Sequence, residues 1–272
     1  MLSYSPPTLH MTEIFLASLL LGILAGIAAG LFGIGGGALI VPVLVWLFQA
    51  QSFNPEHIML LAVATSLATA IFTSLASVRM HHKLGNIDWR RVLHLAPSML
   101  LGASGGAVLA EYISAELLRT FFICYLLYIS VQMLMTRSIQ TSTRPARNYL
   151  DLPVGLLVGV LSAILGIGGG TMTVPYLVGN GLKMKNAVAT SSACAIPIAL
   201  PAAASYVLLG WQDSRLPTGS FGYLYLPAFS GIVLTSIFTA PVGAKLAHKL
   251  PAQKLKRYFA IVLLFIALKM AG

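Results

Sequence analysis

Two short glycine runs offer the clearest site chemistry in this chain. The sequence reads FGIGGGALIVPVL over residues 32–44 and LGIGGGTMTVPYL over residues 165–177, and eight of the thirteen paired positions are identical. A glycine break inside an apolar segment frees backbone N–H groups, which must then meet protein, water or a ligand. A helix that begins after the break adds the positive end of its dipole, and glycine lets an anion approach the backbone closely. Two such helix ends, one from each run, predict a cage for a small anion.

Hydroxyl groups form the second candidate set. An AVATS segment follows each glycine run, at residues 62–66 and 187–191. Such hydroxyls either bond back to their own helix or donate hydrogen bonds to an oxyanion, and their duplication favours the second role. We expect Thr65→Val and Ser191→Ala to weaken binding and to leave the fold intact. The predicted substrate-binding residues are Gly33, Gly35, Gly36, Gly37, Pro42, Thr65, Ser66, Gly166, Gly168, Gly169, Gly170, Pro175, Thr190, Ser191 and Ser192.

The main alternative for the glycines is close helix packing, because small residues line helix interfaces in membranes. A nucleotide site is excluded. Neither run matches the dinucleotide-binding pattern GxGxxG with a downstream acid, and neither matches the P-loop pattern.

The acidic residues argue against cation chemistry. All seven lie at the ends of apolar segments or in loops: Glu13, Glu56, Asp88, Glu111, Glu116, Asp151 and Asp213. A buried proton relay, a metal site or a cation carrier would need carboxylates at membrane depth, so no metal and no cofactor is predicted. An intramembrane enzyme would need a nucleophile with a base, and no His or carboxylate lies at mid-segment depth. Cys124 and Cys194 are predicted to be small buried side chains.

Composition places these residues in a membrane. The 272 residues are 57% hydrophobic and 9% charged, against about 25% charged in soluble domains, and the mean hydropathy is +0.86. The net charge of +10 sits at the ends of apolar runs, so the positive-inside rule explains it and nucleic-acid binding is not predicted. The predicted fold is an all-α polytopic membrane protein of eight to ten segments, with the lipid bilayer as its partner. The segments are residues 14–31, 38–48, 58–78, 92–110, 117–135, 150–165, 171–178, 187–209, 223–247 and 258–268.

The order of the motifs indicates one duplicated unit. Residues 1–135 form a first membrane repeat, 136–149 a cytoplasmic linker and 150–272 a second repeat, all within a single transmembrane domain. If each glycine-broken helical hairpin returns to its own side, the repeats have inverted topology, and fourteen of the seventeen Lys and Arg residues fall on one face. An even number of crossings per half gives no such bias. The positive-inside rule therefore favours inverted repeats, with both termini periplasmic in a bacterial inner membrane.

Inverted repeats with matching Gly- or Pro-broken segments are typical of secondary transporters, whose sites lie near the midplane. The paired GIGGG, VP and AVATS segments resemble the sulfite exporter TauE/SafE family of membrane permeases over nearly the whole chain. The resemblance implies about eight membrane helices and transport of a small sulfur oxyanion or organosulfonate, such as sulfite, thiosulfate or sulfoacetate. By position, it assigns the family motif to residues 33–37, Pro42, Thr65, Ser66, residues 166–170, Pro175, Thr190 and Ser191.

Other functions stay open from the sequence. The runner-up is a channel or carrier for another small anionic or neutral metabolite. A structural membrane subunit would not require two matched glycine-broken segments. The anion itself, the direction of transport, the coupling ion and whether the protein forms a homo-oligomer do not follow from the residues. It is also open whether the short arms after the glycines are full spans or re-entrant.

Overall fold

The computed structural model describes residues 8–33, 35–135, 150–249 and 252–271. The linker at 136–149 and Ile34 lie outside the described residues. Within the described part, the chain is ten helices and one two-stranded hairpin, which confirms the all-α polytopic fold. The helices are α1 (Thr8–Phe32), α2 (Gly37–Ala50), α3 (Pro55–Lys83), α4 (Trp89–Glu111), α5 (Ala115–Met135), α6 (Asp151–Leu165), α7 (Gly170–Gly179), α8 (Met184–Leu209), α9 (Leu226–Lys249) and α10 (Ala252–Ala271).

Helix lengths separate long spans from short arms. Six helices in the described part are long and apolar enough to cross a membrane: α1, α3, α4, α5, α8 and α9. The arms α2 and α7 have 14 and 10 residues, which at 1.5 Å per residue gives lengths of about 21 Å and about 15 Å. Neither length reaches across a hydrocarbon core of about 30 Å. The helices that follow the glycine runs are therefore too short to be full spans.

Glycine faces pack the helices that precede each glycine run. Helix α1 packs against α9, and α6 packs against α4. A Cβ atom added to Gly22 of α1 would lie 2.5 Å from the Ile232 carbonyl oxygen, and one added to Gly159 of α6 would lie 2.9 Å from the Ala103 nitrogen. Such backbone approaches exclude any side chain at these glycines, which is the usual way small residues bring membrane helices together. Each of the two helices thus pairs with a helix from the opposite half of the sequence.

Helices α3 and α8 form the centre of the fold. They pack against each other, α3 also packs against α9, and α8 also packs against α4. Side chains from Ile58 to Ala70 on α3 are buried on every face, as expected for a helix surrounded by others. The start of α3 is set by Pro55 in its first turn and by the Asn54 side chain, which accepts a hydrogen bond from the Glu56 N–H at 3.1 Å. These two central helices carry the AVATS segments.

A small hairpin between α8 and α9 was not predicted. Strands β1 (Ser220–Phe221) and β2 (Leu224–Tyr225) pair in antiparallel register, and α9 begins at Leu226, not at residue 223. Gly222, with φ of +57°, makes the turn, and a Cβ there would collide with the Val207 backbone. Helix α9 therefore starts only after the hairpin, because a residue in the left-handed conformation does not belong in an α-helix.

The two cysteines differ in exposure. Cys194 is buried as predicted, but Cys124 is exposed on α5.

Candidate functional site

Both glycine runs are true breaks between helices. In the first, Gly33, Gly35 and Gly36 have φ values of +69°, +73° and +82°. In the second, Gly166 and Gly169 have φ values of +69° and +74°. This left-handed region is strained for any residue with a Cβ. Gly36 and Gly169 are the N-caps of α2 and α7, so the sequence pattern GIGGG encodes a helix break after which a new helix starts.

The two breaks lie against each other. A Cβ on Gly35 would be 3.2 Å from the Cα of Gly168, and one on Gly37 would collide with the Gly166 carbonyl and lie 2.9 Å from the Ile167 Cα. The first two N–H groups of α2 and of α7 have no intrahelical acceptor, and the residues that carry them are buried. The structure therefore brings together the predicted glycines of both halves, with two helix N-termini next to the junction.

Close packing accounts for some of these glycines. A Cβ on Gly33 would lie 2.6 Å from the Val188 carbonyl oxygen, and one on Gly166 would lie 3.0 Å from the Val63 Cα. These contacts are reciprocal, because Val63 and Val188 hold the same place in the two AVATS segments. Around Gly36 the nearest atoms are less close, at 3.0 Å or more. Packing therefore explains Gly33, Gly37 and Gly166, whereas Gly36 is set mainly by its backbone conformation.

The AVATS serines tie each half to the other. The Ser66 hydroxyl donates to the Gly166 carbonyl at 2.7 Å, and the Ser191 hydroxyl donates to the Gly33 carbonyl at 3.2 Å. Both serines are fully buried. Their protons thus go to the backbone of the opposite glycine break and not back to their own helices. In this arrangement the serines hold the breaks in place.

The AVATS threonines make the opposite kind of bond. Thr65 Oγ1 accepts from the Tyr225 N–H and Thr190 Oγ1 accepts from the Asp88 N–H, each at 3.0 Å. Tyr225 and Asp88 each lie three residues after a matching left-handed glycine, Gly222 and Gly85. A hydroxyl that accepts one bond still has its own proton to give. The described bonds of these two threonines do not use their own protons.

Ser192 and the repeated prolines have other roles in this structure. Ser192 donates to the Val188 carbonyl of its own helix at 3.1 Å, which is the ordinary local bond of a buried serine. Pro42 and Pro175 lie inside α2 and α7, five residues after the first residue of each helix. Since proline has no N–H, each removes one backbone bond near the start of its arm. Gly168 and Gly170 complete the second break, and Gly170 is the first residue of α7.

The second break carries hydroxyls that the sequence analysis missed. Thr171 and Tyr125 share a hydrogen bond between their hydroxyls, and Thr173 Oγ1 donates to the Gly169 carbonyl at 2.9 Å. Ser162, on the last turn of α6, is 1% exposed. A position-by-position comparison of the two copies could have found them. The first half has Ala38, Ile40 and Ala29 at these positions.

The described part of the chain has one buried pair of oppositely charged side chains. Of the described Lys, Arg, Asp and Glu side chains, Arg91 and Asp151 are the buried ones. Arg91 Nη1 lies 3.1 Å from Asp151 Oδ2, and the Tyr176 hydroxyl of α7 donates to Asp151 Oδ1 at 2.5 Å. Asp151 does stand at a helix start, as predicted, but it is enclosed. The pair neutralises itself, so no uncompensated buried charge is present in the described part of the chain.

A second polar cluster lies at the start of α3. His57 Nε2 is 2.9 Å from Asp213 Oδ2, and Arg215 Nη2 is 3.0 Å from the same oxygen. Hydrogen bonds from Arg215 hold the pKa of the Asp213 carboxyl at about 2, below its ordinary value of 3.8. These residues line a cavity of about 680 Å³ together with Glu56 and Tyr223. The cavity lies at the start of α3, whereas the Arg91–Asp151 pair joins the first turns of α4 and α6.

Comparison with known proteins decides the family. The profile of the sulfite exporter TauE/SafE family matches residues 18–270, which is nearly the whole chain. The chain belongs to this family. It is 37% identical to a probable membrane transporter protein of Haemophilus influenzae over 261 residues, covering 96% of this chain and 99% of the relative.

More distant relatives carry the same description. A probable membrane transporter protein of Methanocaldococcus jannaschii is 27% identical over 90% of this chain and 91% of its own length. One from Bacillus subtilis is 27% identical over 86% of this chain and 90% of its own length. This TauE/SafE protein is therefore a multi-pass membrane transporter and not an enzyme.

Proposed function

We propose that this TauE/SafE protein moves a small oxyanion across the bacterial cytoplasmic membrane, and that the anion is a sulfur oxyanion or organosulfonate such as sulfite, thiosulfate or sulfoacetate. The observation that carries the proposal is the meeting of the two glycine breaks. Gly35 of one break faces Gly168 of the other, with the N-termini of α2 and α7 beside them. Both helix ends present N–H groups and positive dipole charge.

The available donors suit an anion that must bind and then leave. A helix end contributes roughly 0.3–2 kcal/mol toward a negative charge, and a hydrogen bond to a charged group contributes about 1.5–3 kcal/mol. Two helix ends and the spare protons of Thr65 and Thr190, reduced by desolvation, correspond to binding in the micromolar to millimolar range. The buried Arg91 is already paired with Asp151. A site of fixed dipoles without a free cation releases its anion more readily than one built on Lys or Arg.

We also propose that the two repeats are inverted and that both termini are periplasmic. The reciprocal hydrogen bonds of Ser66 with Gly166 and of Ser191 with Gly33 support a two-fold relation between the halves. The Lys and Arg distribution supports the orientation. Single cysteines at the exposed positions Lys183 and Ser214, in a background without Cys124, test it. An impermeant thiol reagent should label position 214 in intact cells and leave position 183 protected. Equal labelling of both positions contradicts inverted repeats.

The substrate is tested on the purified transporter. Sulfite, thiosulfate, sulfoacetate and methanesulfonate should raise its melting temperature in detergent and compete with one another in calorimetry. Choline, magnesium and neutral sugars should have no effect. In proteoliposomes, counterflow of labelled sulfite should follow the same order as binding. If only a neutral metabolite or a cation stabilises the protein, the oxyanion proposal is wrong and the glycine breaks serve packing alone.

A further inference from the structure

One buried hydroxyl beside the second glycine break is not used by the fold. Ser162 Oγ is buried and has no hydrogen-bond partner among the described residues. The carbonyl of the same residue is fully engaged, since it accepts from the N–H groups of Gly166 and of Ile167, the latter at 3.0 Å. Only the side chain is left without a bond. A hydroxyl enclosed in an apolar interior is normally paired.

Other buried serines on helices show what Ser162 could have done. Ser130 donates to the Leu126 carbonyl at 2.7 Å, and Ser98 donates to the Leu95 carbonyl at 3.0 Å. Such a bond to the backbone of the same helix satisfies the hydroxyl without any ligand. Ser18, Ser74 and Ser220 also lack partners in the described part of the chain. Ser162 differs from these three in its place, because it stands on the last helical turn before a glycine break.

The Ser162 hydroxyl is directed at the start of α7. A Cβ built on Gly169, the left-handed N-cap of α7, would lie 3.1 Å from Ser162 Oγ. The unpartnered hydroxyl therefore lies beside the N-cap of α7, close to the helix end that carries the unbonded N–H groups. Two kinds of donor that meet in a buried place, without a carboxylate among them, are suited to an oxygen atom that carries negative charge.

The other hydroxyls at this helix end each take part in a hydrogen bond with the protein, unlike that of Ser162. Thr171 is bonded to Tyr125, and Thr173 donates to the Gly169 carbonyl. In the first half, the place of Ser162 is taken by Ala29, whose carbonyl accepts the Gly33 N–H at 2.9 Å, just as that of Ser162 accepts the Gly166 N–H. The two halves are thus matched in backbone and differ in this donor.

We infer that Ser162 is a substrate-binding residue, which donates a hydrogen bond to an oxygen of the transported oxyanion at the N-terminus of α7. The second break is then the stronger half of the site, and the first break, with Ala29, is the weaker half. This inference rests on the proposed function, because it assigns a donor within the same anion site. The ligand it suits has at least two acceptor oxygens, one for each half.

Ser162→Ala in the full-length transporter gives an unusual pair of expected results. Without ligand, the variant should melt at the wild-type temperature or above it, because it loses an unpaired hydroxyl and no hydrogen bond. Its affinity for sulfite should fall about tenfold or more, since a bond to a charged acceptor is lost. Ser162→Cys, a weak donor of similar size, should lie between the two. The matched control is Ser130→Ala, which should melt lower and bind sulfite as the wild type does.

The outcomes separate this inference from the proposal on which it rests. Wild-type binding is first measured for sulfite, thiosulfate, methanesulfonate, nitrate and bicarbonate. If only nitrate or bicarbonate binds, the sulfur substrate is wrong, and Ser162→Ala is judged with that anion. If sulfite binds equally to the wild type and to Ser162→Ala, the role of Ser162 is refuted while the anion site stands. If no anion binds the wild type, both are wrong.

Discussion

Replacing Thr65 by valine tests the central cross-link between the halves. Valine has nearly the shape of threonine, so the packing of α3 is kept while the hydroxyl is lost. In the structure that hydroxyl accepts the Tyr225 N–H at 3.0 Å in a buried place, 160 residues away along the chain. From the sequence alone, Thr65→Val is expected to leave the fold intact. Because the structure shows this buried bond, we expect Thr65→Val to lower the stability of the fold in addition to weakening anion binding.

The size of the expected stability loss follows from the Tyr225 N–H, which loses its acceptor in Thr65→Val. A buried N–H without an acceptor lowers the free energy of unfolding by about 1–3 kcal/mol. For a chain of 150–250 residues, 1 kcal/mol corresponds to about 2–4 °C in melting temperature, so the variant should melt roughly 2–12 °C lower. Thr190→Val should lose less, because its partner, the Asp88 N–H, is only partly buried and can turn to water. Thr65→Ser keeps the hydroxyl and should stay near the wild type.

The assay is thermal unfolding of purified protein in one detergent, followed by sulfite titration at a temperature where every variant is folded. We expect Thr65→Val to be less stable and also to bind about tenfold more weakly, because the proton available to the anion is gone. A Thr65→Val protein that melts with the wild type would refute the structural role of the bond. One that is destabilised and yet binds sulfite normally would refute the role of Thr65 as a donor.

Three further predictions concern the glycines and the two charged clusters. Gly169→Val should prevent folding or transport, because it combines a φ of +74° with a close approach to neighbouring side chains. Gly85→Val, with a φ of +68° but no atom within 4 Å of its Cβ, should lose stability through backbone strain alone and should therefore be less damaging. Expression level and counterflow compare them, and equal behaviour would contradict the packing argument. Arg91→Met should lower the free energy of unfolding by about 3–5 kcal/mol, because the buried Asp151 carboxylate loses its arginine. Adding Asp151→Leu should recover most of that loss in denaturant titration; a double variant no more stable than the single would argue against this. The folded-state pKa of Asp213 lies below its ordinary value, so its ionised form stabilises the fold above about pH 4. This contribution should disappear between about pH 4 and pH 2. The melting temperatures of wild type and Asp213→Asn should therefore differ at neutral pH and converge on acidification.

The sequence could predict elements whose signal is local. Apolar runs predicted the positions of all ten described helices, and the repeated GIGGG predicted two helix breaks because only glycine accepts that backbone. The hairpin at Ser220–Tyr225 was missed because its two-residue strands are too short to show an alternating pattern, and only Gly222 marks the turn. Which partner each hydroxyl chooses could not be predicted. The Ser66 bond to Gly166 spans 100 residues, and such a pairing depends on how α3 packs against the end of α6 and not on neighbours in sequence.

Ser162 shows a different limit. A serine near the end of an apolar helix is unremarkable in sequence, and nothing in its neighbours tells whether its hydroxyl bonds locally. Comparison of the two copies marks Ser162 as a difference, but only the structure shows that its side chain is unpaired and next to Gly169. Ala29, at the same place in the first half, has no hydroxyl, so the two breaks differ in this hydrogen-bond donor.

The pairing of α1 with α9 has a consequence for how the chain is made. As the ribosome delivers the helices in order, α1 enters the membrane first, and its glycine face has no partner until α9 follows near the end of synthesis. Helix α6, in contrast, meets α4 already in place. The first half therefore lacks its α9 contacts until the second half has been made. Contacts of such long sequence separation form late, so the packing of α1 is complete only after α9 has been inserted.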